Sequence, residues 1–151
     1  MAILFVPGQV AIADPNPGGP SATSNVKDVA VKVVKLSSAN FSTTPINTLV
    51  AVLPADATIL NMQLVVKTQL AGGGITAATV SLGTASAGTQ FASAANAFGA
   101  AGANADLATL AGIMQNYQVP LGGDIQVWAQ GTATTGIPTS GELYLTIYYV
   151  R

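Results

Sequence analysis

From Val26 onward, short apolar runs rich in Val, Ile, Thr and Tyr alternate with clusters of Gly, Pro, Asp and Ser. β-Branched and aromatic residues fit a pleated, half-buried surface, and the clusters supply the backbone angles that tight turns demand. The pattern predicts strands at Val26–Leu36, Ile46–Leu53, Thr58–Leu70, Thr76–Leu82, Asp124–Gln130 and Leu143–Val150. Pro54-Ala55-Asp56, Gly72-Gly73-Gly74, Gly122-Gly123-Asp124 and Thr139-Ser140-Gly141 separate them. In the first strand Val29, Val31 and Val33 alternate with Ala30 and Lys32, which predicts one buried and one wetter face. In the last, Leu143, Leu145, Ile147 and Tyr149 share one side while Tyr144, Thr146 and Tyr148 share the other. A strand that is apolar or aromatic on both sides is expected to be covered on both.

Two stretches depart from this pattern. Residues 1–25 hold the apolar run Ile3 to Val6, then DPNPGGPSATSN, with Pro7, Pro15, Pro17 and Pro20 among them. Proline removes a backbone donor and fixes φ, so this segment reads as an extended arm or linker ahead of a single domain over 26–151. It is either a plain tail or an anchoring arm, in which Ile3, Leu4, Phe5 and Val6 dock on another subunit and the proline run acts as a spacer. The second stretch, Gln90 to Met114, is rich in Ala, Gly and Asn. Phe91, Ala94, Ala95 and Phe98 have helical spacing, which predicts a short helix before Gly99 inside a connecting loop. The alternative is a close-packing surface at a symmetry axis, where small side chains let backbones approach. Several short strands between regular turns imply an all-β fold, an antiparallel β-sandwich of jelly-roll-like kind.

The composition narrows the function. The chain has no His and no Cys, and its charged fraction is 7%, against roughly 25% in ordinary soluble domains. Histidine carries most general acid–base work near neutral pH, and soft metal sites need His or Cys. The acids Asp14, Asp28, Asp56, Asp106, Asp124 and Glu142 are scattered, with no two within a helical turn in sequence. Asp124 and Glu142 are the plausible neighbours, because each begins a strand of the expected final hairpin. The reading is a non-enzyme with no cofactor. A surface with so little charge protects a free monomer poorly from association, so partners are expected to cover much of it.

Nucleic acid is not among those partners, because Lys27, Lys32, Lys35, Lys67 and Arg151 are too few to neutralise a phosphate track. No membrane span is expected, since every apolar run breaks well short of about 18 residues. The start MAILFVPGQVAIAD lacks the basic n-region of a secretory signal, and the absence of Cys fits a cytoplasmic origin. Ser24-Asn25-Val26-Lys27 matches S-x-x-K, but it leads into a strand rather than opening a helix, and its partner motifs are absent. Asp14-Pro15-Asn16-Pro17-Gly18 spaces oxygens like the start of a calcium loop, without the downstream bidentate acid. Gly72 to Gly74 and Gly99-Ala100-Ala101-Gly102 lack the Lys-Ser/Thr or G-x-G-x-x-G context of a phosphate cradle, and read as turns. Trp128, Tyr144 and Tyr148, with Tyr117 and Tyr149, are candidates for core or interface packing, or for a sugar-stacking platform.

Two stretches carry a resemblance. LPADATILNMQLVVKTQLAGGGITAATVSLGT, residues 53–84, resembles a segment common in structural proteins of tailed bacteriophages: a Leu-Pro turn, a long strand, a glycine-rich turn and a strand ending in Val-Ser-x-Gly-Thr. GDIQVWAQGTATTGIPTSGELYLTIYYVR, residues 123–151, resembles the last hairpin of the same proteins. The chain is thus similar to tailed-bacteriophage capsid decoration, or cement, proteins. That resemblance implies a jelly-roll-like sandwich made in the host cytoplasm and seated on the virion surface. It further implies contact with the major capsid protein and with further copies of itself as a homotrimer. The alternative function is a tail or head fibre protein whose sandwich binds a receptor or glycan through Trp128, Tyr144 and Tyr148.

Overall fold

The computed structural model describes residues 29–107 and 123–151. Ile3 to Val6 and the rest of the arm, its boundary with the domain, the Ser24–Lys27 and Asp14–Gly18 motifs and Tyr117 lie outside the described residues. Among the described residues eight strands follow one another: β1 (Val29–Ser37), β2 (Ile46–Leu53), β3 (Thr58–Ala71), β4 (Ala77–Gly83), β5 (Ala92–Asn96), β6 (Asn104–Asp106), β7 (Ile125–Thr134) and β8 (Ser140–Val150). A 3-10 turn, Ser38–Asn40, follows β1.

The strands form two four-stranded sheets, β1-β8-β3-β6 and β2-β7-β4-β5, and every pairing is antiparallel. Of these strands, β4 and β5 are the one consecutive pair that shares a ladder, and each other successive strand lies in the opposite sheet from the one before it. This exchange is the jelly-roll order, so the protein is an all-β sandwich of the kind its turns predict. The core lies between the sheets. The first sheet supplies mostly large side chains, among them Leu36, Ile59, Met62, Leu64, Leu145 and Ile147. The second supplies many small ones, including Ala51, Ala78, Ala92, Ala129 and Ala133, between Val80, Leu82 and Val127. Large against small lets the two inner faces interdigitate without voids, and it gives the abundant alanine a structural use.

Three expectations need correction. The alternation in β1 is present, but the valines occupy its wetter face. Register pairs Val34 with Leu145 and Leu36 with Leu143, both buried, and opposed residues of an antiparallel pair share a face. Val29, Val31 and Val33 therefore point outward. The helix expected between Phe91 and Phe98 is β5. Its ladder to β4 skips from Val80↔Ala95 to Leu82↔Ala92, three residues against two, and Ala94 takes up the extra residue at φ 49. That bulge spaces the buried Ala92 and Ala95 three apart, which mimics a helical period. Finally, residues 123–151 do not form a hairpin, because β7 belongs to the second sheet and β8 to the first.

The turns keep the sheets in place. Gly72, Gly73 and Gly74 all have positive φ, and a Cβ on Gly73 would lie 2.0 Å from the Ile137 carbonyl oxygen. Only glycine allows this approach, by which the β3–β4 turn meets the β7–β8 turn. Nearby, the Thr139 N–H donates to the Ala71 carbonyl at 2.9 Å.

Candidate functional site

The sandwich presents two outer sheet faces. On the first sheet, register sets out rows Val29–Val150–Thr58, Val31–Tyr148–Asn61, Val33–Thr146–Gln63 and Lys35–Tyr144–Val65. One end of this face is apolar and open: Val29, Val31 and Val33 are 60%, 52% and 56% exposed, and Leu60, at the bulge of β3 on the far side of β8, is 43% exposed. Chain connectivity makes this also the end at which residues 1–28 join the sandwich.

The other end is a small charge network. Lys35 Nζ lies 2.7 Å from Glu142 Oε2, and Lys67 Nζ lies 3.2 Å from Glu142 Oε1. The Tyr144 hydroxyl and Glu142 Oε1 are hydrogen-bonded, and Lys67 Nζ stands 5.5 Å from the Tyr144 ring centroid. Lys35 above all, then Tyr144, holds the Glu142 carboxyl at about 2, well below its ordinary 4.5, and Glu142 in turn raises Lys67. A carboxylate held this low is a fixed anion and has no proton to give near neutral pH. The network ties β1, β8 and β3 together and leaves one lysine charge uncompensated.

The second sheet faces outward differently. Its rows are Val52–Gln126, Leu49–Trp128–Gly83, Asn47–Gln130–Ser81 and Thr132–Thr79. Trp128 Nε1 donates to Gln126 Oε1 at 3.0 Å, and Gln130 Nε2 donates to Asn47 Oδ1 at 3.2 Å. The loop 84–90 folds over Gly83, where an added Cβ would meet the Gly88 carbonyl carbon at 2.3 Å, and its Ala87 N–H reaches Asn47 Oδ1 at 2.9 Å. Leu49 and Val52 remain 43% and 50% exposed. None of the chain's five basic and six acidic residues lies in β2, β4, β5 or β7.

The fold thus separates residues the sequence grouped. Trp128 sits on the outside of the second sheet and Tyr144 and Tyr148 on the outside of the first, with the core between them, so they make no single platform. Tyr149 turns inward and packs against the core. Asp124 and Glu142 are also apart: β7 spans ten residues between Asp124 and the turn that leads to Glu142, roughly 30 Å of strand.

The fold is shared with chains of two phage capsids. The chain resembles one from the structure "Cyanophage Pam1 capsid asymmetric unit" at 21% identity and a TM-score of 0.55, over 94% of each chain. It resembles one from "Capsid of Ralstonia phage GP4" at 22% identity and a TM-score of 0.55, over 82% of this chain and 84% of that one. No protein-family model and no curated protein matches.

The sequence marked Val29, Val31 and Val33 as one side of an alternation without assigning that side to the surface, and it left Leu49 and Val52 unmarked, because period-two alternation does not say which side is inward. The signal that was available is the charge map: residues 36–55, 68–105 and 125–141 carry no charge at all. Among the described residues, no three His, Cys, Asp or Glu side chains gather as a metal site requires, and no helix is long and apolar enough to cross a membrane. An open groove of about 270 Å³ beside the β3–β4 turn is lined by Gln69, Leu70, Ile75 and Phe98 and brings no ionisable group.

Proposed function

We propose that the chain is a virion structural protein that binds the outer surface of a phage capsid and stabilises the shell, without enzymatic activity. The observation that carries this reading is a complete sandwich with apolar residues left open on both outer faces, in a chain with very few charged groups to solubilise them. The shared fold with capsid chains, co-extensive over 94% of both partners in one case, supports it. Such a protein must bury area against the shell and against its own copies, and a specific contact takes roughly 800 Å² per partner. A closed homotrimer does this without open-ended polymerisation.

In this reading Ile3, Leu4, Phe5 and Val6 of the arm anchor to the major capsid protein, and the valine face with Tyr148 beside the arm's exit extends the contact. Deleting residues 1–20 is then expected to abolish co-sedimentation with empty shells built from the major capsid protein of the same phage, while molar mass by light scattering stays unchanged. Full occupancy by the truncated protein would overturn the anchor. The fibre-protein alternative gains no support from geometry, since Trp128 and the tyrosines face opposite ways. A glycan array with a Trp128→Ala control separates it, because a decoration protein gives no ligand-dependent signal.

A further inference from the structure

We infer that the uncharged outer face of the second sheet, centred on Leu49, Val52, Gln126 and Trp128, is covered by a second copy of this chain. The inference deepens the self-association in the proposed function and rests on it, while leaving shell binding to a separate test.

The choice of occupant follows from chemistry. Copies packed around a closed symmetry axis bring like groups close together at that axis, so fixed charges of one sign are a liability there. The first sheet's face carries the fixed charges of Lys35, Lys67 and Glu142, and register sets Asp106 opposite Gln63 of that face, so a copy set upon it would have to desolvate these charges or match each with its opposite. The second sheet's face carries none, and neither does the loop 84–90 that flanks it. Its polar groups are the amides of Asn47, Gln126 and Gln130 and the hydroxyls of Thr79, Ser81 and Thr132. Each amide and hydroxyl both donates and accepts, so it can pair with its own kind. Interface centres are depleted in charge and enriched in aromatic residues, as here around Trp128.

The four strands supply roughly half of the area that a stable contact takes, and side-chain relief with the flanking loop has to supply the rest. Four strands at about 4.8 Å spacing, each about seven residues long at about 3.3 Å rise, span on the order of 19 Å by 23 Å. Side-chain relief and the flanking loop raise the accessible area above that projection, toward the roughly 800 Å² per partner of a stable association. Covering the face removes the exposure of Leu49 and Val52 and needs no counter-charge.

The test is light scattering on the full chain, with Gln126→Lys, Gln126→Glu and Val52→Lys placed on this face and Thr146→Lys on the other. The wild type is expected to be oligomeric. The three substitutions on the second sheet should each weaken association at least tenfold, whichever sign of charge is introduced, and Thr146→Lys should keep the wild-type mass. All three positions are outward, and unchanged circular dichroism shows that each variant folds. Retention of mass by the Gln126 and Val52 variants, dissociation by Thr146→Lys alone, or a monomeric wild type would overturn the assignment. Shell co-sedimentation is scored on the same samples. A wild type that oligomerises through this face yet ignores shells refutes the decoration role and leaves the interface standing.

Discussion

Two faces of one sandwich, each alternating in and out with the same period, end in different chemistry. The first exposes Val29, Val31 and Val33 at one end and the Lys35–Glu142–Lys67 network at the other. The second exposes Leu49, Val52 and Trp128 among amides and hydroxyls, with no charge in any of its strands. Apolar exposure alone does not distinguish them, since both have it. Charge does: a face with fixed charges of both signs suits a different surface that complements them, and an uncharged one suits its own copy. The low charge content of the chain is therefore unevenly spent, and the uneven distribution is the informative part.

The comparison can be tested from the core outward. Replacing Leu145, fully buried behind the first face, by Ala should cost about 2–5 kcal/mol in denaturant unfolding through the cavity it leaves. Val33→Ala, one position out of register with it on the outside, should stay within about 0.5 kcal/mol in the isolated chain. Equal costs would mean that the valine face is covered within the monomer. Next is Gly73→Ala, which forces a Cβ into a left-handed position against the Ile137 carbonyl. A loss of at least about 1–2 kcal/mol is expected, and it should reduce shell binding and self-association alike, because both faces depend on that turn.

Smaller effects separate the faces themselves. Val31→Asp should weaken shell binding about tenfold, which corresponds to about 1.4 kcal/mol, with molar mass and melting temperature nearly unchanged. Loss of mass in this variant would merge the two roles on one face. The smallest effect is that of Glu142→Gln. Since the folded-state carboxyl is held at about 2, below its ordinary 4.5, its contribution is present above 4.5 and disappears as pH falls from there toward 2. The wild type should lose melting temperature across that window, and the variant should lose less. The difference will be slight because Lys35 and Lys67 are 55% and 60% exposed and such pairs are screened by solvent. Parallel melting curves over pH 2 to 4.5 for the two proteins would remove the network from the account of the first face.

Much of the fold was legible in the pattern, and the two strands that were missed show what limits such reading. The long runs at Thr58–Ala71 and Ile46–Leu53 stand out because β-branched residues and firm turn signals bound them. β5 was hidden because its side chains are mostly alanine and its bulge shifts the apolar spacing from two to three. β6, Asn104–Asp106, is three residues held by its ladder to β3, and a segment that short has no period to read. The site was less legible than the fold. Trp128, Tyr144 and Tyr148 stood out by residue type, yet nothing along the chain told that they leave the sandwich on opposite sides.

By itself the sequence determined an all-β chain with glycine and proline turns, no histidine or cysteine chemistry, and a scarcity of charge that calls for partners. These are local or additive properties, set by the conformations each residue allows and by the groups it carries. Only the tertiary structure decided which side of β1 faces water, that β7 and β8 part into different sheets, and that Lys35, Glu142 and Lys67 meet on one face while the strands of the other carry no charge. The physical reason is that alternation is symmetric between the two sides of a strand. The choice is made by register against a partner strand whose buried residues are already committed to the core.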